Sequence, residues 1–185
     1  MKKHNTLWLL LLALCSIFAG CKKDNANAAT QQEILPPATQ TGANTFGCLV
    51  NGKVWIPKGH EPNGIKPNPH IQYDYDLYGK PYLFIDTKQY IDNTLKGGFY
   101  IVFRNLENVG EYKIPDKFRF SIGWENVLGN CGMTTLDSTV QSWGGGVITK
   151  LDIPNQIIAG TFAFKAKRTG CDTVYITDGR FDIKF

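Results

Sequence analysis

The sequence predicts an all-β protein: a single antiparallel β-sandwich or small β-barrel of roughly 8–10 strands, placed behind a signal peptide and a disordered tether. Three observations carry that expectation. Short runs rich in aromatic and β-branched residues recur from Phe46 to Phe185, punctuated by Gly, Asn, Asp and Pro. The closing runs alternate apolar and charged residues with period two. No segment carries the 3.6-residue apolar period of an amphipathic helix.

The runs follow in order. Phe46–Val50 and Lys53–Ile56 flank Asn51-Gly52, a pair suited to a tight hairpin turn in which both central residues take positive φ. Pro57 ends the second run because it has no N–H to donate. Pro57, Gly59, Pro62, Gly64, Pro67 and Pro69 then mark a long irregular stretch. Tyr82–Asp86, Phe99–Phe103 and Phe118–Ile122 read as strands, with Gly97-Gly98 and Asn108-Val109-Gly110 as the breaks between them. Gly146–Leu151 reads as another strand. In Gly160–Lys167, Phe162, Phe164 and Ala166 share one face while Lys165 and Lys167 take the other. In Arg180–Phe185, Phe181, Ile183 and Phe185 share one face and the charges lie opposite. Thr169-Gly170 is the turn between the last two runs. Asp178-Gly179 reads as a bulge in one long strand rather than a second turn, since Ile157–Arg168 and Asp172–Phe185 then match in length.

The first twenty residues have a secretory pattern. Lys2, Lys3 and His4 form a basic head, and Leu7–Ala19 is a 13-residue apolar stretch. A bilayer core needs roughly 20 residues of helix to cross it, so the stretch is too short for a comfortable span. Phe18-Ala19-Gly20-Cys21 resembles the bacterial lipoprotein box, with Phe18 where Leu is commoner. The resemblance implies cleavage before Cys21 and acylation of its thiol. The plainer alternative is a secreted protein cleaved nearby with Cys21 as an ordinary thiol. The expected organisation is therefore 1–20 signal peptide, 21–44 lipidated cysteine and disordered linker, and 45–185 all-β domain.

Removing residues 1–20 takes away two of the 20 basic residues and none of the 16 acidic ones, so the formal charge falls from +4 to 18 − 16 = +2. A near-neutral chain gives no electrostatic footprint for nucleic acid. Lys22–Asn44 has no aromatic residue and is rich in Ala, Asn, Thr, Gln and Pro. Such a segment buries too little to offset its ordering entropy. As a flexible coil it would reach roughly 25–30 Å. The charged stretch Lys22-Lys23-Asp24 after Cys21 favours display at the outer-membrane surface over a periplasmic position.

Three cysteines remain in the domain: Cys48, Cys131 and Cys171. In an oxidising compartment two of them pair and one is left as a buried thiol, with three pairings open. Their wide spacing lacks a C-x-x-C knuckle, so no metal site and no cofactor is expected from them. His60 and His70 are the weak metal candidates, with Glu61, Asp74 and Asp76 nearby, but the ligands lie in a loop without the short spacing a rigid site uses. Two histidines and three serines after the signal, with no G-x-S-x-G elbow, leave little for a hydrolase triad. No catalytic residue is assigned. Tyr73, Tyr75, Trp124 and Trp143 are the candidate ligand-binding residues, with Tyr78 beside them, because flat rings stack on sugars. Trp143 precedes Gly144-Gly145-Gly146, read as a flexible exposed setting. Aromatics also dominate cores, so most of the chain's rings are expected inside.

Asn44-Thr45-Phe46-Gly47-Cys48-Leu49-Val50-Asn51-Gly52-Lys53-Val54-Trp55-Ile56-Pro57 resembles the opening of a family of uncharacterised lipoproteins from Bacteroidota. Ile158–Phe164 and Thr177–Phe185 resemble that family's ending. The resemblance implies an envelope address, a β-rich domain and a membrane-lipid partner through acylated Cys21, and it supplies no functional residues. The reading that follows is a non-enzymatic binding or interaction module whose partner is a glycan, a peptide or an envelope protein. Its alternatives are a lipocalin-like carrier of a small apolar ligand, a saccharide-active enzyme using Asp74 or Asp76, and a structural part of an envelope complex.

Overall fold

Asn51 and Gly52 take φ of 48° and 79°, the left-handed pair that lets the chain reverse in two residues. They join the first two strands of a computed structural model that describes residues 33–62, 64, 66–123 and 131–185. Residues 1–32, with the signal pattern, Cys21 and the first part of the tether, lie outside the described residues, as does Trp124. The strands are β1 Thr45–Val50, β2 Lys53–Trp55, β3 His70–Tyr75, β4 Pro81–Ile91, β5 Thr94–Arg104, β6 Gly110–Lys113, β7 Phe118–Gly123, β8 Met133–Thr134, β9 Val140–Asp152, β10 Ile157–Arg168 and β11 Val174–Lys184. These eleven exceed the expected number, because β3 and the short β6 and β8 are edge or near-edge strands without a clear apolar alternation.

One sheet, here sheet A, has the order β2-β1-β11-β10-β9-β6; sheet B has the order β3-β4-β5-β7-β8. The strand pairings are antiparallel throughout. The two sheets remain separate and pack face to face, which is a β-sandwich. The closed barrel, and with it the calyx that a lipocalin-like carrier requires, is not formed.

The core follows from the alternation. Phe162, Phe164 and Ala166 point inward along β10, and Leu83 and Ile85 do so along β4. Rings join the sheets: Phe120 stacks on Phe164 with centroids 4.3 Å apart, and Phe103 meets Phe181 at 5.6 Å. Burying each such side chain stabilises the fold by about 1.5–3 kcal/mol. Thr87 is fully buried among them and donates its hydroxyl to the Phe99 carbonyl at 2.7 Å, so its polarity is satisfied. Cys131 and Cys171 form the disulfide and Cys48 is the buried free thiol. The bridge closes a loop of 40 residues, which limits the unfolded chain by about 4 kcal/mol.

Three expectations need correction. The β4–β5 turn is Asp92-Asn93, with φ of 49° and 59°, and not Gly97-Gly98. Those glycines lie within β5, opposite Gln89 and Lys88. Second, Gly144-Gly145-Gly146 is not a flexible stretch; it lies inside the 13-residue strand β9, paired to β10 on one side and in part to β6 on the other. Third, the folded unit begins at Glu33 and not at Thr45. Residues 33–44, read as part of a disordered linker, are a strap bound to the sandwich. Glu33 pairs with Lys58, and Asn44 Oδ1 accepts the Lys184 amide at 2.9 Å. The strap has no aromatic residue and no period-two alternation, so composition hid it; it is held by hydrogen bonds and by Leu35 and Pro36, which pack over Gly47 of β1. The Asp178-Gly179 bulge is present, with the β10–β11 register shifting between Phe162 and Phe164.

Candidate binding groove on sheet A

The outward-facing residues of sheet A form rows across the strands. Glu111, Val147, Thr161 and Arg180 make one row, because Glu111 pairs with Val147, Val147 with Thr161 and Thr161 with Arg180. In the next row Lys113 faces Gly145, and Gly145 faces Ala163, beside the Asp178-Gly179 bulge. One row further on, Trp143 faces Lys165 and Lys165 faces Tyr175. The first two rows are floored by small side chains, so the surface sinks there into a groove of about 760 Å³. Sites for small ligands and short polymers occupy about 300–1,000 Å³.

The glycines are required by close approach. A Cβ on Gly145 would lie 2.1 Å from the Tyr112 carbonyl oxygen, and one on Gly144 would lie 2.3 Å from that of Ala163. Neither neighbour can yield, since both oxygens belong to paired strands. The same absence of side chains that lets β6, β9 and β10 draw together leaves the floor of the groove bare.

One wall is the strap. Asp182 projects outward from β11, between Ala159 and Thr45 in the register, yet it is fully buried because the strap crosses it. Its Oδ2 accepts from Thr39 Oγ1 at 2.6 Å, from the Thr41 amide at 2.8 Å and from Thr41 Oγ1 at 3.2 Å, while Oδ1 accepts from the Gly42 amide at 2.7 Å. Burial pushes the carboxyl upward in pKa, but these donors, with the Ala43 amide, outweigh it and hold the group at about 2. Lys150 Nζ of β9, two strands across from Asp182, donates to the Gln40 carbonyl at 3.1 Å. Ala38 of the strap thereby lines the groove.

The Trp143 row lies one register row beyond Gly145 and Ala163 and contributes none of its side chains to the groove's lining. Lys165 Nζ sits 4.7 Å from the centroid of the Trp143 ring, a cation–π contact that fixes the indole. Trp143 is 48% exposed and Tyr175 50%, and Lys165 covers one face of the indole. The ends of the groove carry mixed charge: Glu111 and Lys113 lie 3.4 Å apart on β6, and Arg180 Nε donates to the Asp178 carbonyl at 3.1 Å on β11. These groups offer hydrogen bonds of both polarities. Among the described residues the groove's lining offers the charged groups of Glu111, Lys113, Asp178 and Arg180 and the hydroxyl of Thr161.

The aromatic candidates do not converge. Trp143 lies on the outer face of sheet A, one register row beyond the groove. Tyr73 belongs to β3 of the other sheet, where it packs on Phe185 at 4.8 Å, and burial raises its hydroxyl pKa. Tyr75 lies T-shaped against Tyr73 at 6.2 Å, and Tyr78 is at the tip of the β3–β4 hairpin. Trp124 lies outside the described residues. Asp74 and Asp76, the carboxylates of the enzyme alternative, serve local backbone: Asp74 Oδ1 accepts the Tyr75 amide at 2.8 Å, and Asp76 Oδ1 accepts the amides of Tyr78 and Lys80, each at 2.9 Å. His60 is exposed in the Pro/Gly-rich loop, and His70 opens β3 opposite Asp86. Among the described residues no three His, Cys, Asp or Glu side chains gather as a metal would need. The Cys48 thiol is buried in the core, and burial pushes its pKa far up.

Sequence reasoning missed Lys165 and Tyr175 as partners of Trp143, although the alternation of β10 had already put Lys165 on the wet side. It missed the strap entirely. Compared with family models, with curated proteins and with solved structures, the chain matches none.

Proposed function

We propose that this chain is a non-enzymatic envelope lipoprotein, held at the outer membrane through acylated Cys21, whose sheet A groove binds an extended glycan. The address is supported by the basic head, the short apolar stretch and the small residues before Cys21. The likeness to uncharacterised Bacteroidota lipoproteins agrees with it. The binding role is carried by one observation: a groove floored by Gly145 and Ala163 and edged by Ala38 of the strap lies one register row from the half-exposed Trp143 and Tyr175, so a ligand longer than one sugar ring can span both. A pyranose has an apolar C–H face and an equatorial rim of hydroxyls. The first suits an exposed indole. The second suits the paired donors and acceptors at both ends of the groove.

The test is a glycan-array screen of the mature domain, followed by titration of the best binder against two variants. Trp143→Ala removes the stacking surface, and about tenfold weaker binding is expected. Ala163→Trp fills the floor from the solvent side without entering the core, and loss of binding is expected. An array with no binder, or a binder indifferent to both substitutions, overturns the groove reading.

A further inference from the structure

Sheet B has its own recess on its outer face, of about 290 Å³, at the small end of ligand sites. Its floor is aromatic. Phe84 of β4 and Tyr100 of β5 lie with centroids 5.3 Å apart, and Tyr82 stands beside them on β4. The register then brings in two cations: Arg104 pairs with Tyr82, and Arg119 of β7 pairs with Val102. Both arginines line the recess and both are half-buried.

Among the described residues neither guanidinium has a hydrogen-bond or ion-pair partner. Two nearby lysines differ: Lys80, just ahead of β4, meets Glu107 at 3.0 Å, and Lys88 of β4 meets Asp86 at 3.5 Å. One carboxylate does line the recess, that of Asp76, but its Oδ1 already accepts two turn amides. Two partly desolvated guanidinium groups against the single carboxylate of Asp76, which pairs with neither, leave the recess with a net positive charge that favours an incoming anion. Neutral polar groups complete the lining: Asn105, and the Tyr82 hydroxyl, which accepts from Gln72 Nε2 at 3.0 Å and keeps its own proton to donate.

We infer that this recess binds a uronate residue of an acidic glycan. The carboxylate engages Arg104 and Arg119, the apolar face of the sugar ring rests on Tyr82, Phe84 and Tyr100, and the ring hydroxyls meet Asn105 and the Tyr82 hydroxyl. A guanidinium matches a carboxylate in plane and in spacing. A phosphate would use the arginines alone and leave the aromatic floor idle. The site is separate from the sheet A groove and does not depend on it.

The experiment is calorimetric titration of the mature domain with galacturonate and glucuronate oligosaccharides, with their methyl esters and with inorganic phosphate. Binding of at least one uronate oligosaccharide is expected, with its ester at least about tenfold weaker and the affinity falling as salt is raised. Arg104→Gln and Arg119→Gln should each weaken it about tenfold while leaving thermal unfolding unchanged. Trp143→Ala should leave it unaltered, which keeps this result distinct from the fate of the groove. Absence of binding to either uronate, equal binding of acid and ester, or phosphate binding as tightly as the sugar acid overturns the inference.

Discussion

Thr39 donates its hydroxyl to the Asp182 carboxylate at 2.6 Å across 143 residues of sequence. The contact joins the strap ahead of the first strand to the carboxyl end of the last one. It makes the strap part of the fold and a wall of the groove. It also accounts for an acidic residue at a fully buried position, since the carboxylate has four donors around it.

Stability should therefore depend on pH through Asp182. The carboxyl is held at about 2 in the folded protein against an ordinary 3.8, so it binds fewer protons folded than unfolded. Its contribution is complete above pH 3.8 and is lost as pH falls from there towards about 2. Asp182→Asn should lower the urea midpoint at pH 7 by about 1 M, corresponding to about 2–3 kcal/mol from lost charge-assisted hydrogen bonds. The gap between wild type and variant should close as pH falls towards 2. A gap that persists unchanged at acid pH would show that the charge on Asp182 is not what holds the strap.

The disulfide and the free thiol should behave differently. Reduction of Cys131–Cys171, or the double replacement by Ser, should cost about 4 kcal/mol of stability through the loop it closes. For a domain of this size that is a fall of about 8–16 °C in Tm, read by calorimetry. Cys48 should not react with a soluble maleimide in the native protein and should react at the unfolding rate in denaturant, because burial both shields it and disfavours its thiolate. Native labelling of Cys48 in seconds would contradict its place in the core.

Lipidation has a direct test. Mass spectrometry of the mature N-terminus should find an acylated Cys21, and Cys21→Ser should move the protein from the membrane fraction to the soluble one. Several acyl chains at about 0.8 kcal/mol per buried methylene leave almost none of the wild type free. Protease added to intact cells should then degrade the domain if it is displayed outward. Protection that persists until the outer membrane is permeabilised would place it in the periplasm.

Much of the sandwich was legible because its cause is local. Alternation in β10 and β11 is a property of neighbouring residues, and so is the turn preference of Asn51-Gly52. Each can be read without knowing what lies across the sheet. The same locality explains the errors. Gly97-Gly98 looks like a break in isolation, whereas Asp92-Asn93 supplies the positive φ that reverses the chain. The triple glycine after Trp143 suggests flexibility until β6 and β10 are seen pressing against it.

By itself the sequence determined the fold class, the tight turn at Asn51-Gly52, the bulge at Asp178-Gly179 and the wet and dry faces of the last two strands. All of these depend on side-chain periodicity and backbone preference over a few residues. Tertiary structure alone decided which cysteines pair, that residues 33–44 bind the domain, that Trp143 stands with Lys165 and Tyr175, and that Arg104 and Arg119 share a recess. Those relationships join residues of different strands and loops, up to 143 positions apart. They arise from strand register and sheet order, which no local pattern of side chains encodes.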